Sequence, residues 1–393
     1  MFIVDIGIAK RSHEAVVVDP FGSVLVKPFK FSNDAMGFNK LHETLSSLSP
    51  DLSSFVFGME ATGHYWLNLY CKLVDLGAVA HVINPVQSDA LRGLFIRKVK
   101  NDSKDSILIA EVIRIGRYSE TTLSDPDLVS LRELTRHRFY LVDCISDAKR
   151  KVISLVDKVF PEYETLFTDM FGSTSINLLA EFTTPEELAA VSTEALADFL
   201  KSVSKGRFGA AKARQIQDLA GNSFGAAVFA YSSAFAIRQF IQQIELLERQ
   251  VEEIEAYIAQ ILPKFNTSLT TINGIGSTLA AVFVAEIGDV NRFDSPEKLA
   301  AFAGIDPTVN QSGEFNGSKA RMSKRGSPYL RRALFLAAIA CNLHNPALHA
   351  LYEKKRSQGK PHMVAISALA RKLVNIIFAV MKSGQPYVMI MPV

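Results

Sequence analysis

The chain is poor in the features that mark secreted, membrane-bound or metal-stapled proteins. Three cysteines occur in 393 residues, Cys71, Cys144 and Cys341, far apart and in unrelated contexts. That usage excludes a disulfide framework and a cysteine-built zinc site, and it suits a reducing cytosol. No run of about 18 apolar residues appears, so no membrane-spanning segment is expected. The opening stretch MFIVDIGIAK has no basic segment followed by an apolar one, so no secretory signal is expected. Internal repeats and low-complexity tracts are missing, and the formal net charge is only +3.

What remains is an ordinary globular composition, 48% hydrophobic and 21% charged, in a chain long enough for two or three cores. The distribution of charge says more than its sum. From Ser312 to Arg332 there are six Lys or Arg against one Glu, whereas Glu245 to Glu255 holds five Glu and one Arg. A local basic stretch in a near-neutral chain marks either a polyanion contact or a solvated face.

The first third alternates strand and helix signals. FIVDIG is a short β-rich run, and EAVVVD and SVLVKPFKF read as the arms of a hairpin around Pro20-Phe21-Gly22. Then come a helix over about 35–48, a strand SFVFGME, a helix after Tyr65, a strand AVAHVINP and a helix over about 103–117. This is the element order of an RNase H-like fold, and also of actin-like ATPases. The middle is helical, with apolar seams from Leu128 to Leu155 and from Ile241 to Ile258. Two such segments around a mixed stretch at about 160–230 read as an antiparallel helical arm. They are compatible with core helices of one chain or with a coiled coil that pairs protomers. The last third opens on TINGIGSTLAAVFVAEIGD, where Gly274 and Gly276 make a turn between two expected helices. Such a helix-hairpin-helix-like element can hold a phosphate on backbone amides, although most Gly-x-Gly turns only join helices. The segment from Asp306 to Pro328 shows no hydrophobic periodicity, and it precedes the strongly apolar helix YLRRALFLAAIACNL.

Four acids stand where chemistry is more natural than packing. Asp5 lies inside the apolar strand FIVDIG, where a carboxylate is costly to bury without a partner or a metal. The bland alternative is a strand-end Asp that reaches solvent. Glu60 closes the run SFVFGME at a strand-to-loop exit, a common position for site residues and also for plain surface. Asp102 and Asp105 are three apart at a helix start, which places both carboxylates on one face. A cation between them would remove their repulsion, while the competing reading is N-terminal capping. Together the four match the assembly of a two-metal phosphoryl-transfer site. The actin-like reading would need glycine-rich phosphate loops of the Asp-x-Gly-Gly type, and the sequence has none.

At this point the chain resembles a known family, the insertion-sequence-110 transposases and the related pilin-gene invertases. The match rests on D-I-G-I-A-K at Asp5 to Lys10, E-A-T-G-H-Y at Glu60 to Tyr65, I-N-P at Ile83 to Pro85 and N-D-S-K-D at Asn101 to Asp105. It continues with F-D-S-P-E-K-L-A-A-F-A-G-I-D-P from Phe293, S-G at Ser312-Gly313 and R-M-S-K-R-G-S-P-Y-L-R-R-A-L from Arg321. Asn101 and Ser106 depart from the Thr and Ala usual beside the two helix acids. The resemblance implies a RuvC-like α/β domain over about 1–120, with Asp5, Glu60, Asp102 and Asp105 holding Mg²⁺. It further implies a mainly α transposase domain over about 263–393 whose serine nucleophile is Ser312. Between the two domains, the apolar seams lead us to expect a helical coiled-coil or oligomerisation region over about 121–262, with a variable insertion near 160–230 that the resemblance does not cover. DNA strands would be cut and rejoined through a covalent phosphoserine, guided by a bridge RNA that pairs with target and donor DNA. The expected protein is a cytoplasmic bacterial or archaeal homo-oligomer, a dimer or tetramer, with each active site drawn from different subunits.

Read without the family, Ser312-Gly313 is a turn dipeptide, and Ser318, Ser323 and Ser327 are rival nucleophiles. Lys319, Arg321, Lys324 and Arg325 would add positive charge around Ser312, and Arg97, Lys98 and Lys100 would track a backbone into the acids. Arg331 and Arg332 are read either as phosphate contacts or as helix-packing residues. His64, just after Glu60, is either a base or a plain loop histidine. The competing functions are a hydrolytic RuvC-like nuclease or junction resolvase, which needs the acids and no serine, a site-specific DNA invertase, and a non-catalytic nucleic-acid binder.

Overall fold

The computed structural model describes residues 1–61, 63–83, 108–116, 125–307, 311–312, 315–316 and 322–389, with backbone only at 311–312 and 315–316. The chain forms two compact units, Met1–Leu123 and Ser124–Val393.

The first unit is built on β1 (Phe2–Gly7), β2 (Ser12–Val18), β3 (Val24–Ser32), β4 (Phe55–Glu60) and β5 (Val79–Ile83). Their order in the sheet is β3-β2-β1-β4-β5. The first three strands form an antiparallel meander, and β1 then pairs in parallel with β4, which pairs in parallel with β5. Helices α1 (Ala35–Ser46) and α2 (Leu67–Asp75) make the connections to β4 and β5. Asp34 starts α1 by accepting the Gly37 N–H at 2.8 Å, a side-chain N-cap. This mixed five-stranded sheet is consistent with an RNase H-like transposase domain.

Strand alternation assigns the two faces. Val4, Ile6, Val17, Phe57 and Met59 pack on one face with Leu41 and Leu45 of α1 and Leu69 and Leu73 of α2. On the other face Ile3, Val16 and Val18 meet Ala110 and Ile113 of α3 (Leu108–Ile115), and Ile83 meets Ile109 and Val112. Burial on both faces explains why β1 and β4 read as near-continuous apolar runs. The helix expected over about 103–117 is described as Leu108–Ile115. Residues 103–107 and 117 of that expectation lie outside the described residues.

In the second unit α4 (Pro126–Val159) and α9 (Ala230–Ile261) run antiparallel along each other within one chain. Arg138 reaches Glu255 at 2.6 Å and Lys149 reaches Glu248 at 3.1 Å across that pair. Between them lie α5 (Ser173–Glu181), α6 (Pro185–Ala190), α7 (Thr193–Val203) and α8 (Ala210–Gly221). These close around their own core of Tyr163, Leu178, Leu188, Leu196 and Ile216, to which α9 adds Ile237, Ile241 and Ile244. Ile241 and Ile244 of the second seam are therefore buried within the chain. Tyr231 and Phe235, at the start of α9, are exposed.

The remaining helices are α10 (Ser277–Ile287), α11 (Pro296–Ala303), α12 (Pro328–His344), α13 (Pro346–Ser357) and α14 (His362–Ser383), with short strands β6 (Gln311–Ser312) and β7 (Phe315–Asn316) between α11 and α12. Helix α10 is buried all round from Ala280 to Ile287, as a hydrophobic central helix must be. Helix α14 is long and apolar enough by composition to cross a membrane. Its Ile366, Leu369, Leu373 and Ile377 instead pack into the core with α10 and α12.

The glycine turn before α10 corrects one expectation. Two 3₁₀ turns, Leu262–Phe265 and Leu269–Thr271, separate α9 from α10, so no compact helix pair closes on Gly274 and Gly276. Gly274 has φ 98°, and a β-carbon on it would lie 2.7 Å from the Cys341 backbone nitrogen. Its glycine is thus required by turn conformation and by close approach to α12.

Candidate active site

Asp5 sits mid-strand in β1 and is 1% exposed. Its neighbour across the parallel ladder is Gly58 of β4, and Gly58 in turn faces His81 of β5. Glu60, two residues beyond Gly58, projects from the same face and is half-buried at the strand end. Helix α3 lies directly over this row. The Ile109 and Ala110 N–H groups donate to Asp5 Oδ2 at 2.9 and 3.0 Å. Two backbone amides of α3 thus face a buried carboxylate and favour its charged form. Burial raises the Asp5 pKa well above the usual carboxylate range. The two amides offset part of that rise, and the nearby Glu60 charge adds to it.

Gly58 is what lets α3 settle so close, a role the sequence reading passed over. A β-carbon there would lie 2.3 Å from Ile113 Cδ1 and 2.7 Å from Ile109 Cγ2. A glycine inside an otherwise apolar strand is the available signal, because it marks a close approach.

The pair fits a hard divalent cation. Asp5 Oδ1 accepts no hydrogen bond from any described residue, and Glu60 offers further oxygens on the same face. Asp102 and Asp105 lie outside the described residues, as do Arg97, Lys98 and Lys100. Asp105 precedes the first residue of α3 by three positions. Among the described residues no group of three candidate ligands is assembled. His64 is exposed, its ring tilted by 43° against that of Tyr65 with centres 4.4 Å apart.

In the second unit Ser312 ends β6 and pairs with Phe315 of β7. The stretch that sequence periodicity left as plain loop thus contains a short hairpin. Its foot is stitched by a Pro307–Met322 bridge and by the Ser323, Lys324 and Ser327 N–H groups donating to Asp306, Gly304 and Phe302 carbonyls at 2.9, 3.0 and 2.9 Å. The rival serines are engaged. Ser323 Oγ donates to the Asp306 carboxylate. Ser327 Oγ donates to Glu286 at 2.7 Å and accepts the Leu330 N–H, capping α12. Ser318, Lys319 and Arg321 lie outside the described residues.

Lys324 and Arg325 are exposed at this foot, Lys324 with φ 54°. Arg331 and Arg332 both bond within the fold. Arg331 donates to the Ala303 and Lys324 carbonyls at 3.3 and 3.2 Å. Arg332 forms a two-bond fork on Asp143 at 2.8 and 2.7 Å and lies over Phe139 at 4.6 Å, tying α12 to α4. A buried carboxylate missed in the sequence, Glu286 at the inner end of α10, takes two bonds from Arg136 at 2.7 and 3.2 Å. Gly276 leads into α10, exposed and without a side-chain cap.

Comparison with known proteins agrees with these two regions. A transposase model of the DEDD type associated with IS110 matches residues 4–161. A second model, described as transposase IS116/IS110/IS902 family, matches residues 266–353. The IS110 insertion-element 43.6 kDa protein of Streptomyces coelicolor is 26% identical over 81% of this chain and 79% of its own length. The IS116 insertion-element 44.8 kDa protein of Streptomyces clavuligerus is 25% identical over 99% of this chain and 97% of its own. The pilin gene-inverting protein of Moraxella bovis is 23% identical over 91% of this chain and 89% of its own. Asp5, Glu60, Ser312 and the basic foot of the hairpin all fall inside the two matched regions. The chain belongs to the IS116/IS110/IS902 family of transposases, DNA recombinases that transfer strands.

Proposed function

We propose that this transposase exchanges DNA strands through a covalent bond between DNA and Ser312, with Asp5, Glu60, Asp102 and Asp105 forming a Mg²⁺-binding set. The observation that carries the reading is the buried Asp5 carboxylate under the amides of α3, with Glu60 on the same face. So costly a placement in a strand core is reasonable where a cation is to be held. Bound Mg²⁺ would supply positive charge that lowers repulsion between a nucleophile and a phosphodiester. Ser312 Oγ attacks phosphorus, its proton passes to a base, and one deoxyribose oxygen leaves as a hydroxyl. A phosphodiester to serine replaces a phosphodiester to sugar. A hydroxyl of the new strand then displaces Ser312, so rejoining needs no nucleotide.

The substrates are double-stranded donor and target DNA, selected by a guide RNA. Lys319, Arg321, Lys324 and Arg325 steady phosphates near Ser312, the Gly276 amide turn does so at the start of α10, and Arg97, Lys98 and Lys100 do so near the acids. In this reading the acids belong to a domain over about 1–120, a helical region over about 121–262 serves oligomerisation, and the hairpin-bearing helical domain begins near 263. The enzyme works as a dimer or tetramer whose acid set and serine come from different subunits. The exposed Phe224, Val228, Tyr231 and Phe235 give this reading a candidate contact surface. Strand exchange assayed with and without Mg²⁺ and guide RNA tests it. Omission of either should stop exchange, and exchange that persists without RNA would refute RNA guidance.

A second reading is favoured by the pilin-inverting relatives. The same chemistry acting on two sites in one replicon inverts the segment between them. A substrate carrying both sites, scored for inversion against insertion, separates the two. A purely hydrolytic nuclease would instead release cut DNA with no dependence on Ser312.

A further inference from the structure

Two arginines near the foot of the Ser312 hairpin, Arg132 and Arg292, keep guanidinium nitrogens that bond no acceptor among the described residues. Glu286 is 4% exposed and already takes both forks of Arg136 together with the Ser327 hydroxyl. One turn earlier on α4, Arg132 donates Nε to the Ala285 carbonyl at 2.8 Å. Its terminal nitrogens bond no acceptor among the described residues. Arg292 lies over the faces of Phe293 and Phe302 at 4.6 and 4.5 Å and forms no hydrogen bond or ion pair with any described residue. The Phe302 under its guanidinium is the residue whose carbonyl anchors Ser327 at the hairpin foot.

Burial is the larger cause that lowers the proton affinity of both Arg132 and Arg292. The Arg136 charge adds to it at Arg132 and the Arg132 charge adds to it at Arg292, while Glu286 opposes it at both, Glu133 at Arg132 and Asp289 at Arg292. Glu286 thus acts on both arginines through its charge, while its hydrogen bonds go to Arg136 and Ser327. A guanidinium resting on aromatic faces keeps its planar fork free and needs little further ordering to grip phosphate oxygens.

We propose that Arg132 and Arg292 form a binding site for the phosphodiester backbone of a DNA strand lying against the Ser312 hairpin. The site rests on the strand-transfer reading above and adds two residues that none of the basic motifs includes. Each arginine contributes a positioning contact, while bond breaking stays with Ser312 and the acids.

The test is binding of labelled duplex DNA to the full-length protein across about 50 to 200 mM salt. Arg292→Gln should weaken binding at low salt by several-fold and reduce the slope of log K against log salt by about 0.9. Arg292→Lys, which keeps the charge and loses the fork, should keep the slope while binding more weakly. Arg214→Gln, an exposed cation in α8, should match wild type. Arg132→Gln loses a backbone bond as well, so Arg292 decides the matter, with thermal unfolding confirming an intact fold. An unchanged slope in folded Arg292→Gln overturns the site and leaves strand transfer standing. A loss confined to single-stranded or hairpin RNA overturns the assignment to DNA. Wild type without salt-dependent DNA binding would overturn the strand-transfer reading as well.

Discussion

Asp5 Oδ2 accepts the Ile109 backbone N–H at 2.9 Å, across 104 residues of chain. One bond thus joins the central strand to the helix that follows Asp102 and Asp105 in sequence. Its energetics are those of a buried carboxylate: the amides favour its charge, and burial and Glu60 oppose it.

The sign of the resulting pH dependence follows. A carboxyl whose folded pKa is raised above the unfolded value near 3.8 contributes most below that value. Its contribution is lost as pH rises toward the folded pKa. Without divalent cation, Asp5→Asn should therefore melt higher than wild type at neutral pH. The gap should be on the order of a few degrees and should narrow as pH falls toward 4. Mg²⁺ should raise the melting temperature of wild type more than that of the variant. Thermal unfolding at several pH values with EDTA or Mg²⁺ checks both. A gap independent of pH would contradict the account of Asp5.

Gly58→Ala places a methyl group against Ile109 and Ile113. The expected cost is about 1–3 kcal/mol, the range for overpacking, together with a loss of strand exchange as α3 lifts from Asp5. Truncating the obstruction with Ile113→Ala should restore part of both. Chemical denaturation of the single and double variants measures the recovery, and purely additive losses would contradict the close-approach account.

Glu286→Gln leaves Arg136 without its charged partner in a site where Glu286 is 3% and Arg136 37% exposed. Breaking a fully buried pair costs about 3–5 kcal/mol. Solvent reaching Arg136 reduces this to about 2 kcal/mol. Replacing Arg136 as well should recover part of the loss. A double-mutant cycle by denaturation tests it, with no coupling between the two positions as the opposing result.

Ser327→Ala removes the α12 cap and the bond to Glu286, at a cost of about 1–2 kcal/mol. It should still form a covalent DNA adduct when folded. Loss of adduct in a stable Ser327→Ala protein would make Ser327 a rival nucleophile.

The sheet was legible because its signals are local. Alternating and continuous apolar runs placed all five strands, and the hairpin around Pro20-Phe21-Gly22 placed the meander. Asp5 stood out because a lone carboxylate in FIVDIG contradicts its surroundings. The short β6–β7 hairpin was missed, since two-residue strands carry no periodicity. The helix expected before Gly274 rests on the Gly-x-Gly turn alone, and the chain makes 3₁₀ turns there. Arg331 and Arg332 read as one basic run, but their acceptors, the Ala303 carbonyl and Asp143, are distant in sequence. Glu286, Arg132 and Arg292 were invisible for the same reason.

The most direct measurement of the central claim is denaturing electrophoresis of strand-transfer reactions containing Mg²⁺, guide RNA and labelled DNA, with wild type beside Ser312→Ala. The account predicts a denaturation-resistant protein–DNA adduct in wild type and none in Ser312→Ala. Cleavage by Ser312→Ala with no adduct in either protein would contradict it and leave the acids alone carrying a hydrolytic reaction.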